Sequence, residues 1–129
     1  MRPVNMASRP VYLNLFRIYL PLAGWVSIMH RVSGALLFVV MPLGVGVLSV
    51  SLSGEAGFQQ VAAWMTHPLA KLFLLMMVWS LAHHFFAGLR HLALDLHWGV
   101  ELRHARRSAV VVLLATGTVT LMAAWRLFA

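Results

Sequence analysis

Two groups of polar residues in this 129-residue chain interrupt stretches that are otherwise apolar, and their spacing sorts them onto helix faces. His84, Gly88, His91 and Asp95 fall at i, i+4, i+7 and i+11, one continuous stripe along a helix. Ser27, Arg31 and Gly34 fall at i, i+4 and i+7 on another, with His30 beside them. Imidazole nitrogens can ligate a metal, a hydroxyl and a guanidinium can hold an oxygen that gains negative charge, and a carboxylate can pair with a cation. A glycine in each stripe removes side-chain bulk, which lets a neighbouring helix or a flat ligand approach the backbone.

The segments that carry these stripes belong in lipid. Of the 129 residues 61% are hydrophobic, and ten Lys and Arg with three Asp and Glu leave too little polar surface to clothe a small water-soluble globule. A membrane-spanning helix needs about 20 apolar residues. Three such spans, over about residues 22–50, 68–96 and 108–128, nearly exhaust the chain. The expected fold is therefore an all-α membrane protein of three transmembrane helices forming a single anchor domain over residues 1–129. Pro21 suits the start of the first span, and Pro42 is expected to kink it. Residues 51–65 break the apolar pattern with Ser, Gly and Glu55, and Thr66 followed by Pro68 reads as a cap and helix start. Thr116, Gly117, Thr118 and Thr120 give the third span a small, weakly polar patch suited to close helix packing.

Charge placement gives the direction. Arg2, Arg9 and Arg17 precede the first span and Arg103, Arg106 and Arg107 lie in the second connection, whereas the first connection holds Glu55 and no basic residue before Lys71. Basic residues collect on the cytoplasmic side, so the N-terminus is expected inside and the C-terminus outside. The net charge of +7 is spread along the chain without a basic, aromatic-studded face, which argues against nucleic acid as a partner. Cysteine is absent, so thiolate ligation and iron–sulfur binding within the chain are excluded. No short apolar core with a small-residue cleavage site follows the N-terminal Arg residues, and no removable signal peptide is expected.

Ionisable groups within a bilayer are costly, about 2.5–3.5 kcal/mol for a central Arg or Asp, and usually face a site or a partner. At about 1.5 Å of rise per residue, His84 falls near the bilayer midplane, with Arg31 roughly 7 Å and His91 roughly 13 Å toward the cytoplasm. Ser27 falls at the level of His91, and His30 is expected nearer the cytoplasm than His84. A midplane imidazole with cationic groups on its cytoplasmic side meets two needs of a haem, an axial ligand and positive charge at the propionates. Competing structural readings exist. A membrane histidine often serves only as a helix-to-helix hydrogen-bond donor, the role expected of His83, and adjacent helical positions differ by about 100° in direction. His67, His97 and His104 lie at span ends, where interfacial roles are expected. On the structural reading Asp95 could simply pair with Arg90 or an Arg of the connection, and Arg90 and Arg31 could snorkel, which the depth of Arg31 makes strained.

Two strings carry a resemblance. Ser27-Ile28-Met29-His30-Arg31-Val32-Ser33-Gly34 and His84-Phe85-Phe86-Ala87-Gly88-Leu89-Arg90-His91 with Asp95 resemble the signatures of the cytochrome b subunit of succinate dehydrogenase, respiratory complex II. Arg9-Pro10, the stretch from Gly54 to Phe58 and Arg106-Arg107-Ser108 are similar to that family as well, so the likeness covers nearly the whole chain. The chain departs from the usual pattern in carrying His83 next to His84.

The resemblance implies a haem b-binding anchor in the bacterial cell inner membrane, a non-flavin subunit working in the respiratory chain and tricarboxylic acid cycle. His84 would be one axial ligand of the haem iron, and a His of a second membrane anchor subunit would be the other. His30, Arg31 and His91 would lie by the haem propionates. Ser27 and Arg31 would border a ubiquinone pocket next to the iron–sulfur subunit, with Arg31 favouring negative charge on the quinone as it is reduced. Succinate would be oxidised in the flavoprotein subunit, not here. Three alternatives stay open at this point: a fumarate reductase anchor, a small proton or ion conductor using His30, Arg31, His84, His91 and Asp95 as a relay, and a purely structural anchor.

The topology has a direct check. A reporter inserted within residues 97–104 should lie in the cytoplasm and one fused after Ala129 should lie outside it, whereas a cytoplasmic reporter at Ala129 would rule out the three-span orientation.

Overall fold

The computed structural model describes residues 19–129, so the N-terminal Arg2, Arg9, Arg17 and the Arg9-Pro10 pair lie outside the described residues. Four helices follow in order: α1 over Leu22–Ser51, α2 over Glu55–Thr66, α3 over Pro68–Asp95 and α4 over Leu102–Phe128. Three of them, α1, α3 and α4, are long and apolar enough to cross a membrane. Among the described residues there is no strand, as expected of a chain whose backbone polar groups must be satisfied within each span.

Helix α1 begins after Pro21, whose φ of −65° is compatible with the turn and whose carbonyl accepts from the N–H groups of Gly24 (2.8 Å) and Trp25 (3.2 Å). The helix continues through Pro42 to Ser51. Gly54, at φ 134°, then turns the chain in a region closed to other residues and opens α2. A side chain at Gly57 would collide with the Val50 carbonyl and the Ser53 hydroxyl, so α2 folds back tightly on the end of α1.

The helical nature of residues 55–66 is a difference from the sequence reading, which placed only a pattern break there. Ser, Gly and Glu55 mark departure from hydrocarbon, but they do not forbid helix. At 12 residues, roughly 18 Å, α2 is too short to span. Helix α3 starts at Pro68 as expected, but its cap differs by one residue. His67 caps it, its Nδ1 accepting from the N–H of Leu69 at 3.2 Å with Pro68 as the first helical residue, while the Thr66 hydroxyl donates back to the Ala63 carbonyl at 2.7 Å.

Helix α3 ends in a Schellman motif. Trp98 N–H donates to the Ala93 carbonyl and His97 N–H to the Leu94 carbonyl, both at 2.9 Å, and His97 takes the left-handed conformation (φ 61°) usually given to glycine. Helix α4 begins at Leu102, earlier than the expected 108, so Arg103, Arg106 and Arg107 occupy its first turns. The basic residues thus lie within the helix and not before it.

Helix α3 is central, with α1 and α4 packed against it. Its buried residues are Ser80, Ala82, His83, Ala87 and Arg90, small or polar groups that let backbones approach. Val26, Ala87, Ala109 and Val112 form the apolar core, with Ala23 and Phe86 against it. Most large apolar side chains, among them Phe38, Val39, Leu81 and Leu121, point outward, as befits a surface meeting lipid or another membrane helix. The small patch on α4 divides: Thr116 is buried, whereas a Cβ at Gly117 would meet nothing within 4 Å.

Candidate functional site

Helices α1 and α3 meet in a reciprocal register. A Cβ at Gly34 would stand 2.8 Å from Cε1 of His84, and one at Gly88 would stand 3.4 Å from Nε2 of His30. Each helix thus offers a histidine to a glycine of the other, four residues apart on both. The first contact admits no side chain at position 34 without moving the imidazole; the second is tight.

That approach brings the His84 ring against the α1 backbone. Nδ1 of His84 lies 3.1 Å from the His30 carbonyl oxygen. A carbonyl only accepts, so the proton of the neutral imidazole resides on Nδ1 and the lone pair on Nε2. No hydrogen bond to His84 Nε2 is found among the described residues. The same carbonyl accepts from the Ser33 hydroxyl at 2.9 Å.

Three imidazoles gather here. The ring of His30 stacks on that of His84 with centroids 4.2 Å apart and planes 10° from parallel, and it meets His91 at 5.1 Å and 48°. His30 faces Gly88, one turn beyond His84 along α3, and the two rings overlap across that step.

His83 turns elsewhere. It is 1% exposed, its Nε2 lies 3.4 Å from the Val26 carbonyl, and its ring stacks on Trp79 at 5.5 Å. It spans α3 to α1 as a packing group. Its Nδ1, with the hydroxyls of Ser80 and Thr116, is buried without a partner among the described residues.

Ser27 and Arg31 lie one turn apart on α1, Ser27 half-buried and Arg31 exposed, and no hydrogen bond of either side chain is found among the described residues. Arg90 corrects the sequence reading. It neither snorkels nor pairs with Asp95; it turns inward, its Nε donating to the Ser108 hydroxyl at 3.0 Å and its Nη2 to the Ala105 carbonyl at 3.3 Å. Asp95 is exposed at the end of α3 and forms no salt bridge among the described residues, where Nδ1 of His104 lies 3.3 Å from a Glu101 carboxylate oxygen. The sequence reading missed Ser33 and Ser108 as polar partners. A serine three residues after a helical histidine is a signal for bonding back to its carbonyl, whereas the Arg90–Ser108 contact had no signal short of the α3–α4 register.

The tightness at Gly34 yields a test. Gly34→Ala should lower the thermal stability of the detergent-solubilised protein by roughly 1–3 kcal/mol, the usual range for overpacking, whereas Gly44→Ala, where a Cβ meets nothing within 4 Å, should not. Equal stability of the two variants would contradict the α1–α3 contact.

Comparison with known proteins places this arrangement. Residues 6–123 match the family described as succinate dehydrogenase/fumarate reductase transmembrane subunit. The chain is similar to the succinate dehydrogenase cytochrome b556 subunit of Coxiella burnetii (strain RSA 493 / Nine Mile phase I), 36% identical over 107 residues that cover 82% of this chain and 86% of that protein. It is also similar to the succinate dehydrogenase cytochrome b556 subunit of Paracoccus denitrificans, 34% identical over 110 residues that cover 84% of each. With the family match spanning most of its length and three helices fit to cross a bilayer, the chain belongs to the succinate dehydrogenase/fumarate reductase transmembrane subunit family, as a membrane anchor subunit of the succinate dehydrogenase type.

Proposed function

We propose that this chain is the cytochrome b subunit of a bacterial succinate dehydrogenase, binding haem b through His84 and forming part of the ubiquinone-reduction site with Ser27 and Arg31. The observation that carries the reading is the His30 carbonyl on His84 Nδ1, which leaves Nε2 as the lone-pair nitrogen. Orientation of a ligand imidazole through its other N–H is the usual support of a histidine metal site. The donor set therefore fits the group that the relatives' name, cytochrome b556, denotes.

The geometry also favours a second ligand from elsewhere. Two imidazoles on opposite sides of one iron point their nitrogens at each other, but His30 lies face to face with His84, its plane 10° from parallel at 4.2 Å. His30 is thus beside the ligand and not across from it, and with Arg31 and His91 it suits the propionates. His83 is committed to Val26 and Trp79 on a different face. A second membrane anchor subunit would supply the other His.

When bound, haem b supplies a one-electron redox centre whose potential the protein sets by ligands, hydrogen bonds and burial. The chain's own residues do the rest. Ser27 donates its hydroxyl proton in a hydrogen bond to a quinone oxygen, Arg31 holds positive charge near the oxygen that gains electrons, and the outward apolar faces of the helices keep the bundle in lipid. Succinate oxidation belongs to the flavoprotein subunit and electron delivery to the iron–sulfur subunit, which docks at the cytoplasmic side of the cell inner membrane, the side of the N-terminus and of Arg103, Arg106 and Arg107.

In the assembled complex, His84→Leu should abolish the sharp reduced spectrum of a bis-imidazole haem and His83→Leu should preserve it. The reverse pattern would transfer the ligand role to His83. Ser27→Ala and Arg31→Leu should each slow quinone reduction roughly tenfold or more, the equivalent of about 1.4 kcal/mol, with succinate oxidation by a soluble acceptor unchanged. Normal quinone turnover in both variants would refute the quinone-site assignment.

A further inference from the structure

We infer that Ser33 is a positioning residue that tunes the electron-donating strength of His84; the inference rests on His84 being a haem ligand. The reason lies in the crowding of a single oxygen. The His30 carbonyl lies inside α1, where the helix directs the N–H of residue 34 at it. It also receives the Ser33 hydroxyl at 2.9 Å and His84 Nδ1 at 3.1 Å. A carbonyl oxygen has two lone pairs, so three donors share what two would saturate.

Ser33 is held to this role by burial. It is 0% exposed, so water cannot take its proton. Its hydroxyl draws electron density from the acceptor on which His84 depends, and the Nδ1–H of His84 is held more weakly than a carbonyl free of that donor would hold it. Hydrogen bonding at the outer nitrogen governs ligand basicity: the stronger the pull on the Nδ1 proton, the more the ring approaches imidazolate and the more electron density Nε2 gives to a metal. A stronger donor favours the oxidised iron and lowers the potential. Ser33 thus raises the potential of the centre that His84 ligates, without touching the metal.

Ser33 is off the stripe of Ser27, Arg31 and Gly34 by about 100° or more, and it meets the His84 hydrogen bond at the backbone oxygen of His30. A residue that merely filled space would leave the potential unchanged when replaced by one of similar volume. This separates the two roles experimentally.

The test is a redox titration of the haem absorption band in the assembled, membrane-embedded complex for the wild type, Ser33→Ala, Ser33→Cys and, as a control, the exposed Ser49→Ala. The midpoint potential should fall in Ser33→Ala, fall less in Ser33→Cys because a thiol is a weak donor, and stay put in Ser49→Ala. An unchanged or raised potential in Ser33→Ala overturns the inference. Should Ser33→Ala fail to assemble, Ser33→Cys decides, with the same two outcomes. His84→Leu is measured beside them. Loss of bis-imidazole haem there with an unmoved potential in the Ser33 variants overturns only the role of Ser33, whereas survival of that ligation in His84→Leu overturns the ligand assignment and this inference with it.

Discussion

The close approach of α1 and α3 at Gly34 is the constraint from which the rest of the site follows. A hydrogen in place of a side chain admits the His84 imidazole to the α1 backbone, and only at that range can its Nδ1 reach the His30 carbonyl. The bond then fixes tautomer and ring direction together. With the register set, His30 must cover Gly88, which stacks it on His84 and brings it to His91. One glycine thereby decides the placement of three histidines. In hydrocarbon, where apolar burial between helices adds little, such contacts carry more of the packing than they would in water.

A second set of contacts secures α3 from the other side. Arg90 is 8% exposed and ties α3 to the backbone and hydroxyl of the first turns of α4, a use of a membrane arginine that avoids the energetic cost of leaving it unpaired in lipid. His83 bridges α3 to the carbonyl of Val26 on α1. Helix α3 thus holds its neighbours through His83 and Arg90, which share one face at i and i+7, and carries His84 and His91 on another about 100° round. Adjacent histidines with unlike tasks follow from the 100° turn between consecutive helical residues.

The three spans were legible because length and apolar content alone demand them, and α1, α3 and α4 are helices of that kind. The cluster of His30, His84 and His91 was partly legible through helical spacing. Helix α2 was hidden because hydropathy reports where a chain leaves lipid and is silent on whether it stays helical, and the same blindness moved the start of α4 from Leu102 to 108. The partners of Arg90 were hidden because they depend on the register of two helices joined by a Schellman turn centred on His97, a residue that carries no turn signal. The His30–His84 bond was hidden for a different reason: its acceptor is a backbone oxygen, which every residue has.

The central claim, that α1 fixes the His84 tautomer and so presents Nε2, is open to solid-state nitrogen NMR of histidine-labelled complex in bilayers, reduced so that low-spin iron is diamagnetic. His84 Nδ1 should be protonated and hydrogen-bonded while Nε2 has the shift of a metal-bound nitrogen. A protonated Nε2, or metal binding at Nδ1, would contradict it.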